Sequence, residues 1–285
     1  MVGQAYLAIA GSVIMHVSWN LLVRHQGAKN RMLWWALVAH CVLLGPWALY
    51  SLVTEAHWHW TLVLSLAVSA TSNVMYFLAL NRAYEHAPVA LVYPIVRSSP
   101  LLIALWSVLF FGESLNLGAW RAISISIVGL GLLAATAWRS GSLSALPWAL
   151  LAALSTSLYS LSDKAATGYL PSFGALLGFV TIGYFLSLVA LTLQMYRKEG
   201  RWRPENMPAM PYMLIAGISI GLAYALVIHA MRTLPAALVV AFTNAGIVVA
   251  GILSMSLFQE RAQWRTRLVG IMVICIGLGF LATNR

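Results

Sequence analysis

The segment Pro88 to Glu113 returns 147 residues later as Pro235 to Glu260, and each copy closes a block of five long apolar segments. Pro88-Val-Ala-Leu-Val92 aligns with Pro235-Ala-Ala-Leu-Val239, and Phe111-Gly112-Glu113 with Phe258-Gln259-Glu260, at that one offset. At an offset of 140, Trp19 aligns with Tyr159 and Arg24 with Lys164, so the duplication runs through the whole chain. Residues 1–140 read as a first five-helix repeat and 141–285 as a second, together one integrated membrane domain. An odd number of spans per copy forces the second copy to enter the bilayer in the opposite sense. Inverted repeats of this kind are typical of secondary transporters.

With 61% hydrophobic and 8% charged residues, nearly all of the chain has to sit where water cannot solvate charge. Apolar spans are expected at residues 3–24, 32–54, 60–82, 88–111, 117–137, 147–166, 173–196, 209–232, 235–258 and 263–283. The expected fold is therefore an all-α membrane protein with ten transmembrane helices built from two inverted repeats. The connections are too short for a soluble catalytic domain. The first span carries His16, Trp19 and Asn20 and lacks a basic leader, so it is expected to remain in the mature protein. Cys41 and Cys275 fall within spans as small apolar fillers without metal spacing, and no cofactor is expected.

A formal net charge of +10 could suggest nucleic acid, but the cations are scattered over short loops and helix ends. Loops after odd-numbered spans, with their flanks, hold Arg24, Lys29, Arg31, Arg82, Arg139, Arg197, Lys198, Arg201, Arg203, Arg261, Arg265 and Arg267. The other side holds Arg121, Lys164, Arg232 and Arg285. By the positive-inside rule this bias puts both termini outside the cytoplasm.

Pro88 and Pro235 open the fourth and ninth spans, where a missing N–H costs nothing, whereas Pro94 and Pro100 lie inside the fourth. A kink or unwound turn is expected there, facing protein or a water-filled cavity. Gly174 with Gly178, Gly217 with Gly221, Gly129 with Gly131 and Gly277 with Gly279 are read as close helix contacts. Glu113 and Glu260 mark helix ends beside loops.

Arg97 lies about 13 Å along its helix from Pro88, near the middle of a core about 30 Å thick. A guanidinium at that depth must face the interior and find acceptors. It suits an anion clamp for a carboxylate or phosphonate, or alternatively ties down carbonyls freed near Pro94. Asn244 occupies the repeat-equivalent position, and Tyr93 lies one turn before Arg97. His16, Trp19 and Asn20 form a polar and aromatic stripe on the first span. Ser155, Ser157, Tyr159, Ser160 and Asp163 do so on the sixth, with Asn73 and Tyr76 on the third. Asp163 lies toward one face as a coupling or gating group, or as half of an ion pair, and adjacent Lys164 cannot face it. His229 lies near an interface.

These residues resemble the drug/metabolite transporter superfamily, EamA type. The likeness rests on His16-Val17-Ser18-Trp19-Asn20, Tyr93-Pro94-Ile95-Val96-Arg97, Gly112-Glu113-Ser114-Leu115 and Asp163-Lys164. It implies ten helices from a duplicated five-helix unit, a central cavity worked by alternating access, and frequent export of amino acids and other small metabolites. It also implies a multi-pass protein of the bacterial inner membrane with both termini cytoplasmic, the reverse of the charge bias.

The resulting expectation is a non-enzymatic secondary transporter, an exporter or exchanger, of a small polar or zwitterionic metabolite such as an amino acid. Arg97 would take the anionic end. Trp19, Tyr76, Tyr93 and Tyr159 would shape the apolar or cationic part, and His16, Asn20, Asn73 and Asn244 would orient it. An aminophosphonate or other small organic anion or amine is the alternative, an intramembrane enzyme or receptor a distant one. The expected partners are this substrate and the lipid bilayer, with no nucleic acid, and a homodimer stands beside a monomer as an open alternative.

Overall fold

In a bilayer every backbone N–H and C=O must be satisfied within the protein, which favours helices. A computed structural model describes residues 2–26, 31–111, 116–139, 141–244, 246, 253 and 263–283, and among them there is no strand. The helices are α1 (Val2–Gln26), α2 (Met32–Leu43), α3 (Gly45–Glu55), α4 (Trp60–His86), α5 (Val89–Val96), α6 (Ser99–Phe111) and α7 (Leu117–Arg139). They continue with α8 (Leu146–Ala166), α9 (Phe173–Glu199), α10 (Met210–Met231), α11 (Ala236–Thr243) and α12 (Trp264–Thr283). Six apolar helical stretches are long enough to cross a membrane, and α2 with α3 makes a seventh if that bent pair is one span. The Gly112-Glu113-Ser114-Leu115 motif and Glu260 lie outside the described residues.

The second span was expected to be continuous over 32–54, and here the structure differs. It bends by 56° between α2 and α3. Pro46 at the start of α3 has no N–H to continue the α2 ladder, and Gly45 before it has little helix preference. The fourth span breaks as expected, with α5 ending at Val96 and α6 starting at Ser99. Proline is not the whole reason. The ninth span's α11 covers Ala236–Thr243, the segment 147 residues after Val89–Val96, and it too stops there, although Ala241 and Ile247 stand where the first copy has Pro94 and Pro100.

The chain divides into two compact units that cut across the sequence repeats. One comprises Met1–Leu78 with Leu158–Leu234, the other Ala79–Ser157 with Pro235–Arg285. In the first unit α1 and α2 pack on α10, and α3 packs on α9. Gly178 permits the α3–α9 contact, since a Cβ there would lie 2.2 Å from the Ala48 carbonyl oxygen. Ser172 caps α9 by accepting the Ala175 N–H at 3.0 Å, and Gly200 ends it in the left-handed region at φ 68°.

In the second unit α7 packs on α12. A Cβ on Gly129 would come within 2.7 Å of Ile274 and one on Gly277 within 2.1 Å of the Ser126 hydroxyl, whereas Gly131 and Gly279 face open space. One glycine of each of these pairs therefore makes the close contact expected of both.

Loop contacts within the first unit sort by side. Arg31, after α1, pairs with Glu199 at the end of α9, and the Trp35 indole donates to the Asn206 carbonyl at 3.1 Å. His57, after α3, donates its N–H to the Tyr169 carbonyl at 2.9 Å, and His59 stacks on Tyr169. The Arg232 guanidinium donates to the Leu170 carbonyl, and Lys164 to those of Met231 and Leu234. The connections after the first and seventh spans thus meet one another, while those after the second, sixth and eighth meet among themselves.

Candidate functional site

All ten candidate residues are buried, and they fall in two groups, one in each compact unit. In the second unit the break between α5 and α6 leaves a main-chain gap. The Leu101 N–H turns to the Ser98 carbonyl at 2.9 Å, so the Arg97 carbonyl loses the partner an unbroken helix would supply. The side-chain amide of Asn244 fills that gap, donating to the Arg97 carbonyl at 2.6 Å. The Ser98 hydroxyl takes up the Ile95 carbonyl at 2.6 Å, and on α11 the Thr243 hydroxyl takes up Val240 at 2.8 Å. Repeat-equivalent residues, each capping a helix that stops at the same register, are in this way locked to one another.

The Arg97 side chain is 7% exposed, and its guanidinium carbon stands 5.2 Å from the Tyr93 ring centre, one turn earlier on α5. This cation–π contact orients the fork. Near Pro94, side-chain groups of Asn244 and Ser98 take up the carbonyls of Arg97 and Ile95. The side-chain oxygen of Asn244, Oδ1, is buried without a hydrogen bond.

In the first unit an aromatic series leads to Asp163. Tyr159 meets Tyr76 edge-on at 5.8 Å and Tyr224 edge-on at 5.1 Å. Such T-shaped geometry sets the positive ring edge against the negative face. The Tyr224 hydroxyl donates to Asp163 Oδ2, and the Ser69 hydroxyl also acts on this carboxyl group, which has 0% exposure. Among the described residues no ion pair is formed by Asp163. Lys164 points away, as its adjacent position on α8 requires, and its ammonium goes to the carbonyls at the end of α10.

On α1 the Trp19 indole donates to His16 Nδ1 at 3.2 Å and the Asn20 amide to the His16 carbonyl at 2.8 Å. Asn73 donates to the Ser69 carbonyl one turn back on α4 at 3.0 Å and packs against Gly183 of α9. His229, at the end of α10, packs edge-on against Phe173.

Two residues escaped the sequence reading. Tyr224 was legible through the duplication, because the 147-residue offset places it opposite Phe77, beside Tyr76. His40 is fully buried on α2, hydrogen-bonded at 3.0 Å to the Thr181 hydroxyl and edge-on to Tyr184. Its imidazole fills the space left by Gly221, where a Cβ would lie 2.1 Å away. Nothing in the apolar run around it signals that role.

A solved crystal structure shares this fold, at 18% identity, with a TM-score of 0.67 and coverage of 100% of this chain and 99% of its own. No curated relative matches. The model of the EamA-like transporter family matches twice, over residues 3–135 and 143–283, in register with the two repeats. With both halves matched, this all-helical, multi-pass membrane protein belongs to the EamA-like transporter family.

Proposed function

We propose that the chain is a secondary transporter, an exporter or exchanger, of a small polar or zwitterionic metabolite such as an amino acid. It works by alternating access around a central midplane cavity, with ten spans in two inverted five-helix repeats, residues 1–140 and 141–285, in a bacterial inner membrane. The sorting of loop contacts by side supports the inversion. The first connection of repeat one meets the second connection of repeat two, where parallel repeats would pair first with first.

One observation carries the substrate reading. Arg97 is a buried cation on a helix broken in apolar surroundings, positioned through its own backbone by the repeat-equivalent Asn244. Such an arginine is expensive to keep in a membrane and presents a planar fork suited to a carboxylate. Tyr93 orients it. Trp19, Tyr76 and Tyr159 supply aromatic surface for the apolar or cationic part of the substrate, while His16, Asn20 and Asn73 supply hydrogen bonds. Asp163 is the coupling or gating carboxylate.

The test is counterflow of labelled amino acids in proteoliposomes. Wild type exchanges substrate saturably, and Arg97→Gln loses at least about tenfold in rate, as expected when a bidentate charged contact worth roughly 1.5–3 kcal/mol is removed. Arg97→Lys recovers only part of it, a point charge replacing a fork. Undiminished flux in Arg97→Gln would refute the clamp. Flux of aminophosphonates with no flux of amino acids would move the substrate to the alternative class.

A further inference from the structure

Asp163 poses a problem of charge balance. It has 0% exposure within a helical membrane unit, and an ionised carboxylate there needs more than the hydroxyls of Tyr224 and Ser69 to offset lost hydration. The lysine and arginines of this unit named above are committed elsewhere. Lys164 is held by the carbonyls of Met231 and Leu234, Arg232 by those of Leu170 and Ser172, and Arg31 by Glu199. His40 is bonded to Thr181, and His16 accepts from Trp19.

Tyr224 fills Oδ2 and Oδ1 is buried without a hydrogen bond, while the Ser160 hydroxyl, close enough to act on that of Tyr224, has no other partner. Ser160 and Asp163 are three residues apart on α8, so their side chains share one face of that helix. The rings of Tyr76, Tyr159 and Tyr224 adjoin this polar pair, and each retains 6–7% exposure while the carboxylate behind them has none. The site therefore combines a carboxylate oxygen, a hydroxyl and π-electron surface, with no positive charge of its own.

We infer that Asp163, Ser160 and the Tyr76–Tyr159–Tyr224 series form a binding site for the primary ammonium group of a substrate. A primary ammonium carries three N–H donors and one charge, which match the open Asp163 oxygen, the Ser160 hydroxyl and the aromatic surface. A quaternary ammonium brings the charge without donors. An alkali cation would be satisfied by oxygens alone and would make no use of an aromatic series. The inference deepens the transport reading and rests on it only for the identity of the substrate. Binding of an amine to the purified chain can be observed whether or not flux is.

The experiment is thermal unfolding of the full-length protein in detergent at pH 8, titrated with n-propylammonium, tetramethylammonium or sodium chloride at matched ionic strength. Binding to the native state raises the transition temperature saturably. Propylammonium should produce a saturable rise that neither of the other salts reproduces. Asp163→Asn should abolish it, and Ser160→Ala, which removes one hydrogen-bond acceptor, should weaken the apparent affinity about three- to tenfold. Should Asp163→Asn not fold, Ser160→Ala carries the decision.

An equal response to sodium, a stronger one to tetramethylammonium, a full response in Asp163→Asn or an unchanged affinity in Ser160→Ala would each overturn the assignment. Loss of propylammonium binding in a wild type that still exchanges labelled anions would refute this site and leave the transporter reading standing. Binding without exchange would do the reverse.

Discussion

At the residue scale, the two groups of buried side chains differ in what they lack. Arg97 is a cation held by an aromatic ring, and Asp163 is a carboxyl group held by an aromatic hydroxyl. The hydroxyl of Tyr224 therefore matters more to stability than an ordinary tyrosine hydroxyl does. Tyr224→Phe keeps the edge-on contact with Tyr159 but strips a buried carboxyl of a donor, and is expected to destabilise the protein by about 1–3 kcal/mol. Tyr184→Phe is the control. Its hydroxyl donates to the Ile220 carbonyl at 3.2 Å, a neutral bond whose loss should cost about 1 kcal/mol or less. Unfolding both variants in mixed micelles compares them, and equal losses would mean that the Tyr224 hydroxyl has no special partner. At this scale the sequence was most informative where the duplication could be used. The offset that aligns Arg97 with Asn244 is the separation across which the two residues bond. His40 had no such signal, because its role depends on two glycines in another helix.

At the scale of elements, the breaks and the glycines decide how helices meet. A proline inside a span was read correctly as a break in the fourth helix. The Gly45-Pro46 pair was passed over in the second, because a proline at the start of a helix and one in the middle of a span look alike until α2 ends. The ninth span shows that proline is not the whole reason, since α11 ends at the same register without one.

The glycines carry a direct prediction. Gly277→Ala would place a methyl 2.1 Å from the Ser126 hydroxyl and 2.8 Å from the Ala122 carbonyl, so α7 and α12 would have to separate. A loss of about 1–3 kcal/mol is expected, as for overpacking elsewhere. Gly131→Ala and Gly279→Ala, with nothing within 4 Å, should be neutral or slightly stabilising through better helix propensity. Thermal unfolding of the three variants separates them, and parity between Gly277→Ala and Gly279→Ala would remove the α7–α12 contact as the reason for the glycine.

At the scale of the whole molecule, the proposed odd number of spans per repeat has a consequence for which segments share a face of the membrane. Five spans before residue 141 would put Ser144 across the bilayer from Gln4, and Glu205 on the same side as Ser144. The Arg31–Glu199 and Trp35–Asn206 contacts agree, because they join the connections after spans one and seven. Single cysteines at Gln4, Ser144 and Glu205, on a background with Cys41 and Cys275 replaced by alanine, can be labelled with a membrane-impermeant maleimide. In intact cells and in inverted vesicles, Ser144→Cys and Glu205→Cys should react together and Gln4→Cys from the other side. Reaction of Gln4→Cys and Ser144→Cys from one side would refute the five-span repeat.

The same experiment assigns the cytoplasmic face, and here the charge distribution and the family resemblance point in opposite directions. Several odd-side cations have acidic neighbours, Arg31 with Glu199, Arg82 with Glu85 and Arg201 with Glu205. Those pairs do not weaken the bias, because acidic residues contribute little to the positive-inside rule and lysine and arginine in short loops dominate it. The twelve odd-side cations therefore predict that Ser144→Cys and Glu205→Cys label in inverted vesicles, with both termini outside the cytoplasm. Labelling of Gln4→Cys there instead would mean that the repeat's inherited orientation overrides the charge of its loops.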